Sequence, residues 1–144
     1  MRSLRLSFCL AAVFFLSAVI PASAQNSNTS LPPIITAGLD SYRNVGLDQA
    51  FRAWLRNSPL HWDPAMAKPL REAQEQYGTF ESWDVVDVRA LSPGTQIVYL
   101  VMNYQQGPMF AKFVVYQTEQ QGWVVTNLKF SPDEEAVLPA PTMQ

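Results

Sequence analysis

FESWDVVDVRAL (80–91), TQIVYLVMNY (95–104), MFAKFVVYQ (109–117) and WVVTNLKFS (123–131) are four runs rich in valine, tyrosine, tryptophan and phenylalanine. Their reading decides the fold. Such residues favour the pleated, half-buried backbone of a strand. The runs are cut by Ser92-Pro93-Gly94, Gln105-Gln106-Gly107-Pro108 and Glu119-Gln120-Gln121-Gly122, which are turn signals. Connections this short join antiparallel neighbours, because parallel strands need a long crossover. The expectation is a four-stranded antiparallel meander. Counting alternation residue by residue assigns Val86, Val88, Val98, Leu100, Met102, Val124, Leu128 and Phe130 to one face. The same count gives the other face Trp83, Val85, Ile97, Tyr99, Val101, Trp123 and Val125, beside Asp87, Arg89, Asn127 and Lys129. That second face carries more apolar surface than a sheet leaves in water, so a partner is expected to cover it.

Upstream, Thr36 to Tyr77 changes to helical spacing. Leu39, Tyr42 and Val45 make one short stripe, broken at Gly46. Asp48 is placed to cap a second segment whose apolar side is Ala50, Phe51, Trp54 and Leu55, stopped by Asn57-Ser58-Pro59. Asp63-Pro64 opens a third helix with an acidic cap and a proline at its first position. Met66, Leu70, Ala73 and Tyr77 form its apolar face, and Gly78 closes it. Pro69 predicts a kink or a late start. Helices first and a meander second give an α+β class, with N-terminal helices packed on one face of a curved sheet.

The N-terminus says where such a domain works. Arg2 and Arg5 precede a 15-residue apolar run, Leu6–Ile20, followed by Pro21-Ala22-Ser23-Ala24. That is the layout of a signal peptide over residues 1–24, cut between Ala24 and Gln25. The protein is expected to be exported, to the periplasm or the medium, with no membrane insertion after cleavage. Residues 25–35 read as a flexible lead-in, 36–131 as a single domain and 132–144 as a C-terminal tail running over the surface. Cleavage leaves 120 residues with 8 basic and 12 acidic side chains, a net charge of −4. An acidic, unclustered surface argues against nucleic acid and anionic membranes, both of which need a basic patch. The one cysteine, Cys9, lies in the leader. Disulfides, thiolate nucleophiles and cysteine metal ligands are thereby excluded from the mature chain. With a single histidine as well, no metal site and no cofactor are expected.

This layout resembles the cone-shaped fold of nuclear transport factor 2 and ketosteroid isomerase, a helix-and-curved-sheet form that cystatins approach. The stretch from Tyr77 to Phe130 also resembles a family of small, uncharacterised secreted bacterial proteins. The likeness rests on Tyr77-Gly78, Trp83-Asp84-Val85-Val86, Gln96-Ile97-Val98-Tyr99-Leu100-Val101, the run Gly107 to Tyr116, and Gly122-Trp123. These are turn glycines and strand cores, so the resemblance implies a fold and no catalytic residues. Cone folds include carriers, enzymes and dimerisation modules. Many dimerise through the outer sheet face, which here implies a homodimer through Trp83, Tyr99, Val101 and Trp123.

Candidate ligand-binding residues are His61 and Trp62 between the second and third helices, Asp84, Tyr104, Lys112 and Thr126. His61 is a possible acid–base group at the mouth of the cone. By alternation Asp84 falls on the helix-facing side, where burial would raise its pKa and suit it to proton transfer. Tyr104 and Thr126 supply hydrogen bonds on that side, and Lys112 an anion contact. No serine–histidine–aspartate motif or phosphate-cradling glycine loop occurs. The leading expectation is an exported non-enzymatic domain that binds a small apolar ligand or an envelope protein. The alternatives are a cofactor-free isomerase, dehydratase or hydrolase using Asp84 or His61, and a structural dimerisation adaptor.

Overall fold

The computed structural model describes residues 30–140. The proposed signal peptide, its cleavage point and residues 25–29 of the lead-in lie outside the described residues. Three helices come first: α1 (Pro33–Asn44), α2 (Leu47–Trp54) and α3 (Pro64–Tyr77). Four strands follow: β1 (Phe80–Ser92), β2 (Thr95–Tyr104), β3 (Gly107–Thr118) and β4 (Gly122–Ser131). They form one antiparallel sheet in the order β1-β2-β3-β4, an α+β meander as expected.

Helix α1 begins at Pro33, earlier than the Thr36 start expected, because proline suits the first helical turn. Ile35 is then fully buried in the core, so the ordered domain reaches into the segment read as lead-in. Helix α2 is capped by Gly46, and Asp48 lies inside its first turn without a capping bond. Asp63 does cap α3, its carboxylate accepting the Ala65 N–H at 2.8 Å. Helix α3 continues through Pro69 without a late start. Its buried residues are Ala67, Leu70 and Ala73, with Met66 and Tyr77 half-buried at the margin. Gly78 ends it at φ 86°, a left-handed conformation that glycine adopts without strain.

The helices cover one side of the sheet. Between them and Val98, Leu100, Met102, Ala111, Phe113, Val115 and Phe130 lies the core, which includes fully buried Ile35, Leu39, Trp54 and Leu70. Trp54 sits at its centre. Its ring centroid lies 5.2 Å from that of Phe113, 5.3 Å from Phe51 and 5.8 Å from Phe130. Its indole N–H donates to the Ile35 carbonyl at 3.2 Å. Gly38 makes room for it, since a Cβ there would land on the indole. Aromatic side chains thus fill the space between helices and sheet.

Four register breaks interrupt the pairing; those at Glu81 and Leu91 fall near the ends of β1, and the two at Val86 and Thr126 change the faces assigned above. In β1 the pairing with β2 runs from Val85↔Leu100 to Asp87↔Tyr99, leaving Val86 unmatched. In β4 the pairing with β3 runs from Val115↔Val125 to Val114↔Asn127, leaving Thr126 unmatched. One extra residue inverts the alternation beyond it. Trp83 (opposite Met102), Trp123 and Val125 therefore face the helices and pack on the core, contrary to expectation. Asp84 (opposite Val101) and Val124 face outward instead, and Val86 is exposed.

The outer face is not bare. After β4 a single 3₁₀ turn, Glu134–Ala136, folds back along it. Lys129, on that face, donates to the Ala136 carbonyl at 2.8 Å, and Val137 is buried outside the helix-side core. Asp133 stiffens the turn by accepting the Glu135 N–H at 3.0 Å. Part of the tail read as surface-running is thus packed.

Candidate functional site

The connection from α2 to α3 builds a cleft. Helix α2 stops at Trp54, and Asn57 takes a positive φ of 57°, which asparagine tolerates better than most residues. The Ser58 hydroxyl donates to the Val125 carbonyl of β4 and accepts the Leu60 N–H at 3.0 Å. This pins the loop to the sheet. The Asp63 cap then fixes where α3 begins. Between these two anchors the chain carries His61 and Trp62 out over α2.

The resulting cleft has a volume of about 610 Å³ and is walled by Phe51, Arg52, His61, Trp62 and Arg71 among others. Trp62 is 46% exposed, an unusual state for the largest apolar side chain. Its ring is nevertheless held, 4.8 Å from that of Phe51, which is itself buried against Trp54 and Phe130. Trp62 is the outermost ring of an aromatic cluster that reaches the centre of the core. Arg71 of α3 contacts Asp48 of α2 at 3.6 Å across the cleft. Among the described residues Arg52 has no ion-pair partner. The cleft therefore offers an aromatic platform with donors on its rim, a chemistry suited to an apolar body carrying an acceptor or anionic group.

Of the six candidate ligand residues only His61 and Trp62 meet. Asp84 lies on the outer face, exposed, and accepts from the Asn103 amide at 2.8 Å. Lys112 shares that face in a row with Tyr99 and Lys129. Thr126 is the β4 bulge residue, and its hydroxyl donates to the Val114 carbonyl at 3.2 Å. The four residues expected at a partner interface also separate. Trp83 and Trp123 turn to the core, while Val101 and Tyr99 face outward, Tyr99 only 6% exposed.

Tyr104 lies in the core, where its hydroxyl is 2.9 Å from that of Tyr42. Helical spacing placed Tyr42 in a core stripe but gave no sign of this hydroxyl pair. Burial pushes Tyr42 up to about 12, offset in part by its hydrogen bond to Tyr104. Tyr104 is raised further by burial and by the proximity of Tyr42. Both therefore remain neutral phenols at physiological pH, one donating to the other. Phe80 stacks on Tyr42 at 4.6 Å, closing the pair off.

Arg52 and Arg71 of the cleft were not singled out from sequence. The available signal was Arg52 at i+4 from Asp48 and Arg71 two turns into α3, which has no meaning until the two helices are known to converge. Among the described residues no three histidine, cysteine or acidic side chains gather as a metal site would require. No known protein family's model matches the chain, and neither a curated protein nor a solved structure is detectably similar to it.

Proposed function

We propose that this chain is an exported, non-enzymatic binding domain that takes a small ligand with an apolar body in the cleft between α2 and α3. The observation that carries the reading is Trp62, held against Phe51 yet 46% exposed within a cleft of about 610 Å³. That volume falls inside the roughly 300–1,000 Å³ range of small-molecule sites. Arg52 and His61 stand at the rim to meet an acceptor or carboxylate on the ligand. The layout of residues 1–24 supports export. We take the architecture as kin to the cone fold of nuclear transport factor 2, with the ligand displaced from the ring-filled interior to the rim. The form of the enzymatic alternative that uses Asp84 loses support because Asp84 is exposed beside Asn103 on the outer face.

The test is native mass spectrometry of the protein purified from exporting cells, followed by tryptophan-fluorescence titration with a medium-chain fatty acid and an aryl carboxylate. Bound mass or saturable quenching is expected, weakened about tenfold or more by Trp62→Ala, the usual effect of removing an aromatic anchor. Trp62 is exposed, so the variant keeps its fold. Binding that Trp62→Ala leaves intact, or no binding of either kind, refutes the reading.

A further inference from the structure

Strand β1 is an edge strand of 13 residues, and no described residue pairs with its outer edge. Three large apolar side chains are exposed along it: Val85 (48%), Val86 (47%) and Leu91 (59%). The other edge, β4, carries none of the large exposed apolar residues. Natural sheets normally blunt a free edge with prolines, lysines or short length. Here the stretch 85–91 is left apolar around Asp87 and Arg89, with Glu81 and Asp84 nearer the start of the strand and register breaks at Val86 and Leu91.

The order of those residues matters. Val85-Val86-Asp87-Val88-Arg89-Ala90-Leu91 is symmetric about Val88 in its apolar positions and opposite in charge: apolar pair, acid, valine, base, apolar pair. Two copies of an antiparallel strand related by a two-fold axis at Val88 place Asp87 of each copy opposite Arg89 of the other. Both residues face the outer side, Asp87 opposite Tyr99 and Arg89 opposite Ile97 within the chain. A two-fold axis perpendicular to the sheet keeps them on one face, so the pairs can meet. Within one copy they touch only at 3.4 Å, with side chains 41% and 50% exposed. The same operation brings Val85 and Val86 of one copy toward Ala90 and Leu91 of the other, at the two places where β1 departs from a regular ladder, so the regular pairing is centred on Asp87, Val88 and Arg89. Cross-strand opposite charges stabilise such a register, and like charges penalise a shifted one.

We propose that β1 pairs antiparallel with β1 of a second copy, centred on Val88, to give a two-fold dimer with a continuous eight-stranded sheet. The interface is isologous, closes on itself and leaves the α2–α3 cleft free. An interface built on one strand edge is small, so the dimer is a weak one.

Sedimentation velocity of the exported protein tests this. A concentration-dependent dimer is expected below roughly 100 μM, the range of modest interfaces. Asp87→Arg and Arg89→Asp, each alone, set like charges opposite one another and should weaken the dimer about tenfold or more. An equimolar mixture of the two variants should recover it as a heterodimer, and the double exchange Asp87→Arg/Arg89→Asp should recover it within one chain. A monomeric wild type overturns the proposal. So does a dimer indifferent to both reversals, or one that neither the mixture nor the double exchange restores.

Discussion

Tyr42 and Tyr104 set the clearest test of a single atom's worth. Tyr42→Phe strands the Tyr104 hydroxyl in a core that Phe80 closes off, and a buried unsatisfied hydroxyl costs about 1–3 kcal/mol. Tyr42→Phe/Tyr104→Phe removes both hydroxyls, so it should cost less than the sum of the single changes in denaturant unfolding. The pair also titrates in one direction. Both phenols have raised pKa values in the folded chain, Tyr42 at about 12, against about 10 when unfolded. Their contribution is complete below pH 10 and is lost as the pH climbs from 10 through 12, where the unfolded chain sheds protons that the folded one keeps. Melting temperatures across that window should fall more steeply for the wild type than for the double phenylalanine variant. Gly38 is the other residue with a sharp requirement. Gly38→Ala drives a methyl into the Trp54 indole, and overpacking of this kind costs about 1–3 kcal/mol. A melting point equal to that of the wild type would show that Trp54 can yield.

At the scale of elements, the four strands and three turns were legible because strand chemistry and turn chemistry alternate cleanly after Gly78. The faces were legible only up to the bulges. Val86 and Thr126 are each one residue that the partner strand does not match, and nothing about a valine or a threonine in a strand announces this. The count was therefore right for Val88, Asp87, Leu128 and Phe130 and inverted for Trp83, Asp84, Trp123 and Val124. The cleft depended on convergence between distant residues, so His61 and Trp62 could be named from their loop while Arg52 and Arg71 could not. The C-terminal segment is a third case. Its acidic and proline-rich composition suggested solvent, yet Val137 finds a place on the outer face. Removing residues 132–144 should expose that place, lowering stability by about 1.5–3 kcal/mol for the lost valine burial and increasing binding of a hydrophobic dye. Unchanged unfolding would mean the segment rests there without contributing.

For the molecule as a whole, helices and sheet share one core, and its aromatic rings leave little room for a ligand inside. Two surfaces carry the proposals: the Trp62 cleft over the helices and the edge of β1. They lie on separate elements, so the proposed ligand uptake and the proposed pairing of copies should be gained or lost independently. The meander has a kinetic consequence as well. Every strand pairs only with its neighbour in sequence, through turns of two or three residues, so the sheet can zip by a relay of short loop closures, each sub-microsecond to microseconds in scale. The long-range step is the docking of α1 and α2 on a sheet that begins a few dozen residues downstream. Seating Trp54 against Phe113 and Phe130 is thus among the longest-range contacts of the fold.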